Sequence, residues 1–368
     1  MRLASVEVIP YALPFKEPYV TANGTLTQRE MVLLRLRTDE GIVGLGEAVP
    51  LSLRGGVALG QVVEELRDVA ASEALHDFFG RASFEVHSVG EIDPRLELSA
   101  PVRSAVLAAV EDFYERLLDI EEPKLGLREI QRKPIACNAT LSAGPPSKVA
   151  EDALAWAAEG FSTFKLKLGA GDDVAQVRAV REAVGPTARV RVDANGSWSL
   201  ETAIELLAEI EPYGIELVEQ PVATMKEAAA LTQTTAIPLS GDESIANRAE
   251  AELAIEEGAF RMTGIKLSKV GGFFTGMEIA ETMPAYVSSA LDGPVGIAIG
   301  AHLAYALDRD DFSHPGEPPR AHGLATQRLF ASTIAAVECE LRDGFLHRPP
   351  GPGLGVEIDE DALQAHRL

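Results

Sequence analysis

Cysteine is almost missing from this sequence: Cys137 and Cys339 are the only two, and they lie far apart. A disulfide framework is therefore not expected, and two reduced core thiols in a cytoplasmic protein are. Positive charge is scarce as well. Against 56 Asp and Glu stand 33 Lys and Arg, a formal net charge of −23, which nucleic acid and an anionic membrane surface would both repel. A small anionic ligand is not excluded, because local cations decide that. Long apolar runs are lacking too: the longest, Val287 to Leu307, is interrupted by Asp292 and His302, so it is not a membrane span. The opening Met1-Arg2-Leu3-Ala4-Ser5-Val6-Glu7 offers no apolar core for a signal peptide.

What is present reads as a globular chain. With 368 residues, 46% hydrophobic and 24% charged, there is material for one large domain or two ordinary ones. Apolar stretches from Ala4 to Leu13 and Met31 to Leu36, then the turn Asp39-Glu40-Gly41 and Ile42-Val43-Gly44, predict a small antiparallel meander. The segments Tyr19 to Leu26 and Ala48 to Gly56 read as lid loops. Helical patterns follow at Val57 to Ala71 and Val102 to Leu118, the second opened by Ser99 and Pro101. A boundary is placed in the charged stretch Glu121 to Lys133, which gives an N-terminal α+β cap over 1–130. From Pro134 the rhythm becomes strand, turn, helix, with one helix opening at Asp172-Asp173 and stopping at Gly185, and the next opening at Ser199. Seven or eight such units reach Ala325, the rhythm of a parallel barrel over 131–325. The tail, 326–368, is expected to return and pack on the meander.

Within the barrel region, short apolar runs end in charge: Phe164-Lys165-Leu166-Lys167, Val190-Arg191-Val192-Asp193, Leu217-Val218-Glu219, Leu239-Ser240-Gly241-Asp242 and Ile265-Lys266. One charged residue per strand end converges on one point above a barrel mouth. Asp193, Glu219 and Asp242, without His or Cys, make a hard oxygen site suited to Mg²⁺ or Mn²⁺. If Phe164, Leu166 and Leu168 face the helices, period-two alternation turns Lys165 and Lys167 inward, where each should depress the other's pKa towards that of a base and a nearby divalent metal should add to the effect. Lys266, across the barrel from Lys167, supplies a second base, the arrangement for moving a proton α to a carboxylate. Asn195 and Glu243 are expected to hydrogen-bond around the acids, and Lys269 to act as a capping or supporting charge. Arg54, the Ser288-Ser289 turn and Asp292 are candidates for substrate contact, with Arg54 more readily read as a solvated side chain. His302, His314 and His322 read as structural.

Five motifs resemble the enolase superfamily in its muconate-lactonizing subgroup: Lys165-Leu166-Lys167, Val192-Asp193-Ala194-Asn195-Gly196, Val218-Glu219-Gln220-Pro221, Asp242-Glu243-Ser244 and Ile265-Lys266-Leu267-Ser268-Lys269-Val270-Gly271-Gly272. The resemblance implies a modified (β/α)7β TIM barrel with an α+β cap built from both termini. It also implies Mg²⁺ on Asp193, Glu219 and Asp242, with Lys167 and Lys266 as the acid/base pair acting on a small carboxylate substrate. Val287 to Gly296 and Ala321 to Thr326 are similar to the o-succinylbenzoate synthases of menaquinone biosynthesis, and no Asp-x-Asp pair of the kind dipeptide epimerases carry is found at Gly323-Leu324-Ala325. A metal-dependent dehydration is thus the leading expectation. Cycloisomerase or epimerase chemistry, and a barrel that only binds, are the alternatives; a homo-oligomer is left open.

Overall fold

The structure, a computed structural model, describes residues 2–51, 56–78, 97–117, 133–308 and 320–368. Chain order begins with a three-stranded antiparallel sheet, β1 (Leu3–Thr21), β2 (Gly24–Thr38) and β3 (Val43–Ala48). Helices α1 (Leu59–Ala71), α2 (Glu73–Phe78) and α3 (Ala100–Leu117) follow. The apolar run of β2 is buried on both faces, which is why it does not alternate with polar residues. Val32, Leu34 and Leu36 join Val62, Leu66, Val102 and Phe113 in a core within the cap, whereas Met31 and Leu33 join Tyr11, Leu13 and Leu45 in the larger core that continues into the barrel. Gly44 and Gly46 let β3 lie directly on α3: a Cβ at Gly46 would sit 1.9 Å from the Ala105 carbonyl oxygen, and one at Gly44 2.1 Å from that of Ala109.

After β4 (Ile135–Ala136) the described residues form a seven-stranded parallel sheet: β5 (Ala139–Leu141), β6 (Thr163–Lys167), β7 (Arg189–Asp193), β8 (Ile215–Glu219), β9 (Leu239–Gly241), β10 (Met262–Ile265) and β11 (Ala285–Val287). An eighth extended stretch closes it. His322 bridges to Cys137 and Gly323 to Ser288, with backbone bonds from His322 N–H to the Ala136 carbonyl (2.8 Å) and Gly323 N–H to the Val287 carbonyl (2.8 Å). Helices α4 (Pro146–Ala158), α5 (Asp173–Val184), α6 (Leu200–Ile210), α7 (Met225–Leu231), α8 (Arg248–Glu256), α9 (Leu267–Val270), α10 (Phe273–Thr282) and α11 (Pro294–Leu307) connect the strands. Their starts follow from sequence: Asp172 accepts from Ala175 N–H, Ser199 accepts from Thr202 N–H, and Thr224 with Glu227 forms a reciprocal capping box. No helix among the described residues is long and apolar enough to cross a membrane.

The tail forms β12 (Ala335–Val337), β13 (Glu340–Arg342), β14 (Phe345–His347), β15 (Glu357–Ile358) and α12 (Glu360–His366). It reaches the meander as expected: Ala331 N–H donates to the Pro14 carbonyl (2.8 Å), Leu368 N–H to the Pro10 carbonyl (3.0 Å), and Arg35 pairs with Glu360 (2.8 Å). One expectation fails. Tyr19 to Leu26 is no loose lid but the end of a hairpin, with Tyr19 paired to Leu26 and Thr21 to Gly24. Its Gly- and Thr-rich composition reflects a two-residue turn, Ala22-Asn23. The segment Glu121 to Lys133, where the boundary was placed, lies outside the described residues up to 132.

Candidate active site

The parallel register sets the cluster. Lys167 pairs with Asp193 across β6 and β7, and Asp193 with Glu219 across β7 and β8, so three charged ends stand side by side. Asp242 directly follows β9 and Lys266 directly follows β10. All five side chains are buried. Lys165 Nζ lies 2.5 Å from Glu219 Oε2 and 2.9 Å from Asp193 Oδ2, Lys167 Nζ 2.5 Å from Asp193 Oδ2, and Lys266 Nζ contacts Asp242 Oδ2. Lys269 completes the set, 3.0 Å from Asp242 Oδ1. Asn195 links the lysine to the next acid, accepting from Lys167 Nζ (2.9 Å) and donating to Glu243 Oε1 (3.1 Å).

Two turns that aim these groups use left-handed non-glycine residues: Asn195 at φ 48° and Gln220 at φ 36°, each just past a carboxylate. Asn195 N–H donates to Asp193 Oδ1 (3.0 Å), and Gln220 Oε1 accepts from the N–H groups of Asp242 (3.0 Å) and Ser244 (3.2 Å). Each turn is thereby locked to an acid of the cluster.

Electrostatics correct one expectation. Burial disfavours the Lys165 ammonium, yet the Asp193 and Glu219 carboxylates outweigh it and hold its pKa well above the usual lysine value. Lys165 is thus raised, not depressed, because two carboxylates stand within 2.9 Å of its ammonium. Burial also works against Asp193, and the charges of Lys165 and Lys167 overcome it, holding its carboxyl well below the ordinary range. Burial lowers Lys269 in spite of Asp242.

A cavity of about 690 Å³, counting its open mouth, lies above the cluster. Barrel residues Thr140, Lys165, Lys167, Asn195, Lys266, Ser288 and Ser289 line it, and so do Tyr19, Thr21, Asn23, Leu26, Arg29 and Leu51 from the cap side. Asp292, named as a substrate contact, is not among the lining residues: its carboxylate accepts from Ala290 N–H (3.0 Å) and the Ser268 hydroxyl (3.4 Å). Its acidity serves a turn. Arg54 and His314 lie outside the described residues. His322 is structural, accepting from Val287 N–H (3.0 Å) at Nδ1 and lying 3.1 Å from Asp308 Oδ1 at Nε2.

The sequence reading missed Tyr286, whose hydroxyl donates to Glu219 Oε2 (2.5 Å) and whose ring lies 5.2 Å from the Arg191 guanidinium. Alternation could have found it, since Tyr286 lies two residues before Ser288 and faces the same way. Of the cap residues, Tyr19, Thr21, Asn23, Leu26 and Leu51 fall in the two segments read as lids, and Arg29 left no such signal.

Residues 148–362 match a family model described as enolase C-terminal domain-like, and residues 4–82 match the mandelate racemase / muconate lactonizing enzyme N-terminal domain. The chain belongs to the enolase superfamily. Among relatives of this superfamily member, an o-succinylbenzoate synthase of Thermobifida fusca is 36% identical over 58% of the chain and 66% of the relative. A D-Ala-D/L-Ala epimerase of Cytophaga hutchinsonii is 30% identical over 99% and 98%. Among solved structures, the muconate lactonizing enzyme of Pseudomonas fluorescens complexed with muconolactone superposes with a TM-score of 0.87 at 26% identity, covering 100% and 99% of the two chains. A dipeptide epimerase of Cytophaga hutchinsonii complexed with Mg and a dipeptide gives 0.84 at 27%, covering 99% and 98%.

The superfamily raises the question of a divalent metal, which the residues answer in kind. Three buried carboxylates offer only oxygen donors, and Glu219 Oε1 is buried without a hydrogen-bond partner, 3.8 Å from Lys266 Nζ. Among the described residues no three acids or histidines converge on one point as placed. Each carboxylate contacts lysine instead, so a metal would enter by displacing ammonium groups.

Proposed function

We propose that this enolase-superfamily enzyme is a metal-dependent lyase that removes a proton α to a carboxylate and expels a β-hydroxyl, with the cyclohexadiene precursor of o-succinylbenzoate as its substrate. The observation that carries the reading is the presence of Lys167 and Lys266 in one cavity wall, each against its own buried carboxylate. Asp193, Glu219 and Asp242 would hold Mg²⁺, with Mn²⁺ as a substitute. When bound, the ion supplies Lewis-acid stabilisation of charge that builds on the substrate carboxylate.

Lys167, once freed from Asp193, takes the α-proton onto Nζ, and the electron pair left on carbon forms the new double bond as the C–O bond breaks. The resulting ammonium returns that proton to the departing hydroxyl, which leaves as water. Lys266 stays protonated and offsets negative charge on the other side. Lys165 and Tyr286 orient Glu219, and Lys269 orients Asp242. Ser288 and Ser289 offer hydroxyls to the far end of the substrate.

The 36% identity to the synthase over 58% of this chain supports dehydration, and the 30% identity to the epimerase over 99% of it supports two-base exchange as the second reading. Steady-state assays with the cyclohexadiene acid, cis,cis-muconate and a dipeptide, each in Mg²⁺ and in EDTA, test this. Metal-dependent dehydration at roughly 10⁴ M⁻¹s⁻¹ or above is expected. Turnover of only the muconate or the dipeptide would transfer the assignment to a cycloisomerase or an epimerase.

A further inference from the structure

A second buried assembly lies at the seam between cap and barrel. Glu47, near the end of β3, is 4% exposed. Its Oε1 accepts from Gly293 N–H (2.7 Å) and its Oε2 from the Tyr11 hydroxyl (2.8 Å). Gly293 precedes the first residue of α11, so a cap carboxylate sits on the N-terminus of a barrel helix, where negative charge is favoured. Two glycines admit it: a Cβ at Gly293 would lie 2.3 Å from Tyr11 Oη and 2.7 Å from Glu47 Oε2, and one at Gly296 2.7 Å from Glu47 Oε1.

The turn that leads into this helix forms part of the cavity wall through Ser288, Ser289, Ala290 and Leu291. It is strained and heavily tied. Leu291 sits at φ 67°, a left-handed position that costs a branched side chain about 1 kcal/mol or more. Asp292 N–H donates to Ser289 Oγ (2.8 Å), which also accepts from the Thr326 hydroxyl (2.8 Å). Such a conformation persists only where its surroundings over-determine it, and Glu47 adds the tie from the cap. Two titratable groups act on Glu47, Tyr11 on β1 and Asp292 in the turn, and the Arg29 charge on β2 acts in turn on Asp292. Burial and then the Asp292 charge push the Glu47 carboxyl up to about 7, opposed by the Tyr11 hydroxyl and the N–H groups of Gly293 and Gly296.

We infer that Glu47 is a positioning residue for turnover: by clamping Gly293 it fixes the Ser288–Leu291 wall relative to Lys167 and Lys266, so the cap governs substrate fit without touching the reacting atoms. The inference rests on the cavity being the substrate site. Nothing in it depends on which acid is bound.

Glu47→Ala, Glu47→Gln and Tyr11→Phe in the full chain test it, read by amide hydrogen exchange without substrate and by steady-state kinetics. In Glu47→Ala, exchange across Ser289–Gly293 should speed up about tenfold while Leu267–Val270 keeps its rate, and KM should rise about tenfold with kcat within a few-fold of the parent. Glu47→Gln, which keeps an acceptor for Gly293 N–H, should recover part of both effects. If Glu47→Ala does not fold, the other two variants carry the same comparison. Unchanged exchange in the folded variants would overturn the clamp, and faster exchange with parental KM and kcat would overturn its role in substrate fit. Absence of turnover by the parent protein counts against the proposed function, and the exchange result then upholds or overturns the clamp by itself.

Discussion

Replacing Glu47 by Gln should flatten the dependence of stability on pH. Burial raises this carboxyl from 4.5 to about 7, so the folded state binds the proton more tightly than the unfolded chain does. Stability from this group is therefore gained as pH falls through about 7 towards 4.5 and lost as pH rises. At pH 8 both states are ionised, and the cost to the folded state approaches about 3 kcal/mol. At pH 5 the folded state keeps its proton while the unfolded chain has largely lost it, which leaves about 1 kcal/mol. The wild-type protein should accordingly lose about 2 kcal/mol between pH 5 and pH 8 that Glu47→Gln does not lose. Urea denaturation of both proteins at four pH values in that range measures the difference. Parallel stability curves would refute the reasoning, because an ionised buried carboxylate cannot be neutralised without consequence if burial is what raises it.

Lys167→Ala should lower kcat by about 10²–10⁴-fold, as expected for removal of a positioned acid/base, and single-turnover assays would show the loss in the chemical step. Chelation by EDTA should abolish turnover and Mg²⁺ should restore it, with inductively coupled plasma analysis reporting metal content alongside activity. Tyr286→Phe removes the hydroxyl that holds Glu219 and should weaken Mg²⁺ binding about tenfold in calorimetric titration. Gly46→Ala drives a methyl into the backbone of α3 and should cost about 1–3 kcal/mol or more, read as a lower thermal midpoint.

The barrel and its charged rim were legible because each strand-and-helix unit repeats the same local logic. Asp193, Glu219 and Asp242 occur once per unit, and period-two alternation was enough to turn Lys165 and Lys167 inward. Helix starts at Asp172 and Ser199 were legible for a similar reason: one side chain, one N–H, a few residues apart. What escaped was long-range. Glu47 and Gly293 are 246 positions apart, and no periodicity joins a cap strand to a barrel helix. Asp292 misled because an acid beside a strand end looks alike whether it faces the cavity or ties a turn. The Lys165 reading erred on direction, since alternation counts like charges without saying how close the opposite ones stand.

The two-sided burial of β2 makes the cap an inseparable part of the molecule. A fragment ending at Leu117 would turn Tyr11, Leu13, Met31, Leu33 and Leu45 out into water, an adhesive sheet face with nothing to cover it. Transplanting a cap from one relative onto another's barrel would meet the same obstacle in reverse. The hairpin tip is the part of the cap that can change what the cavity admits while the sheet beneath stays as it is, since Asn23 and Leu26 line the cavity there.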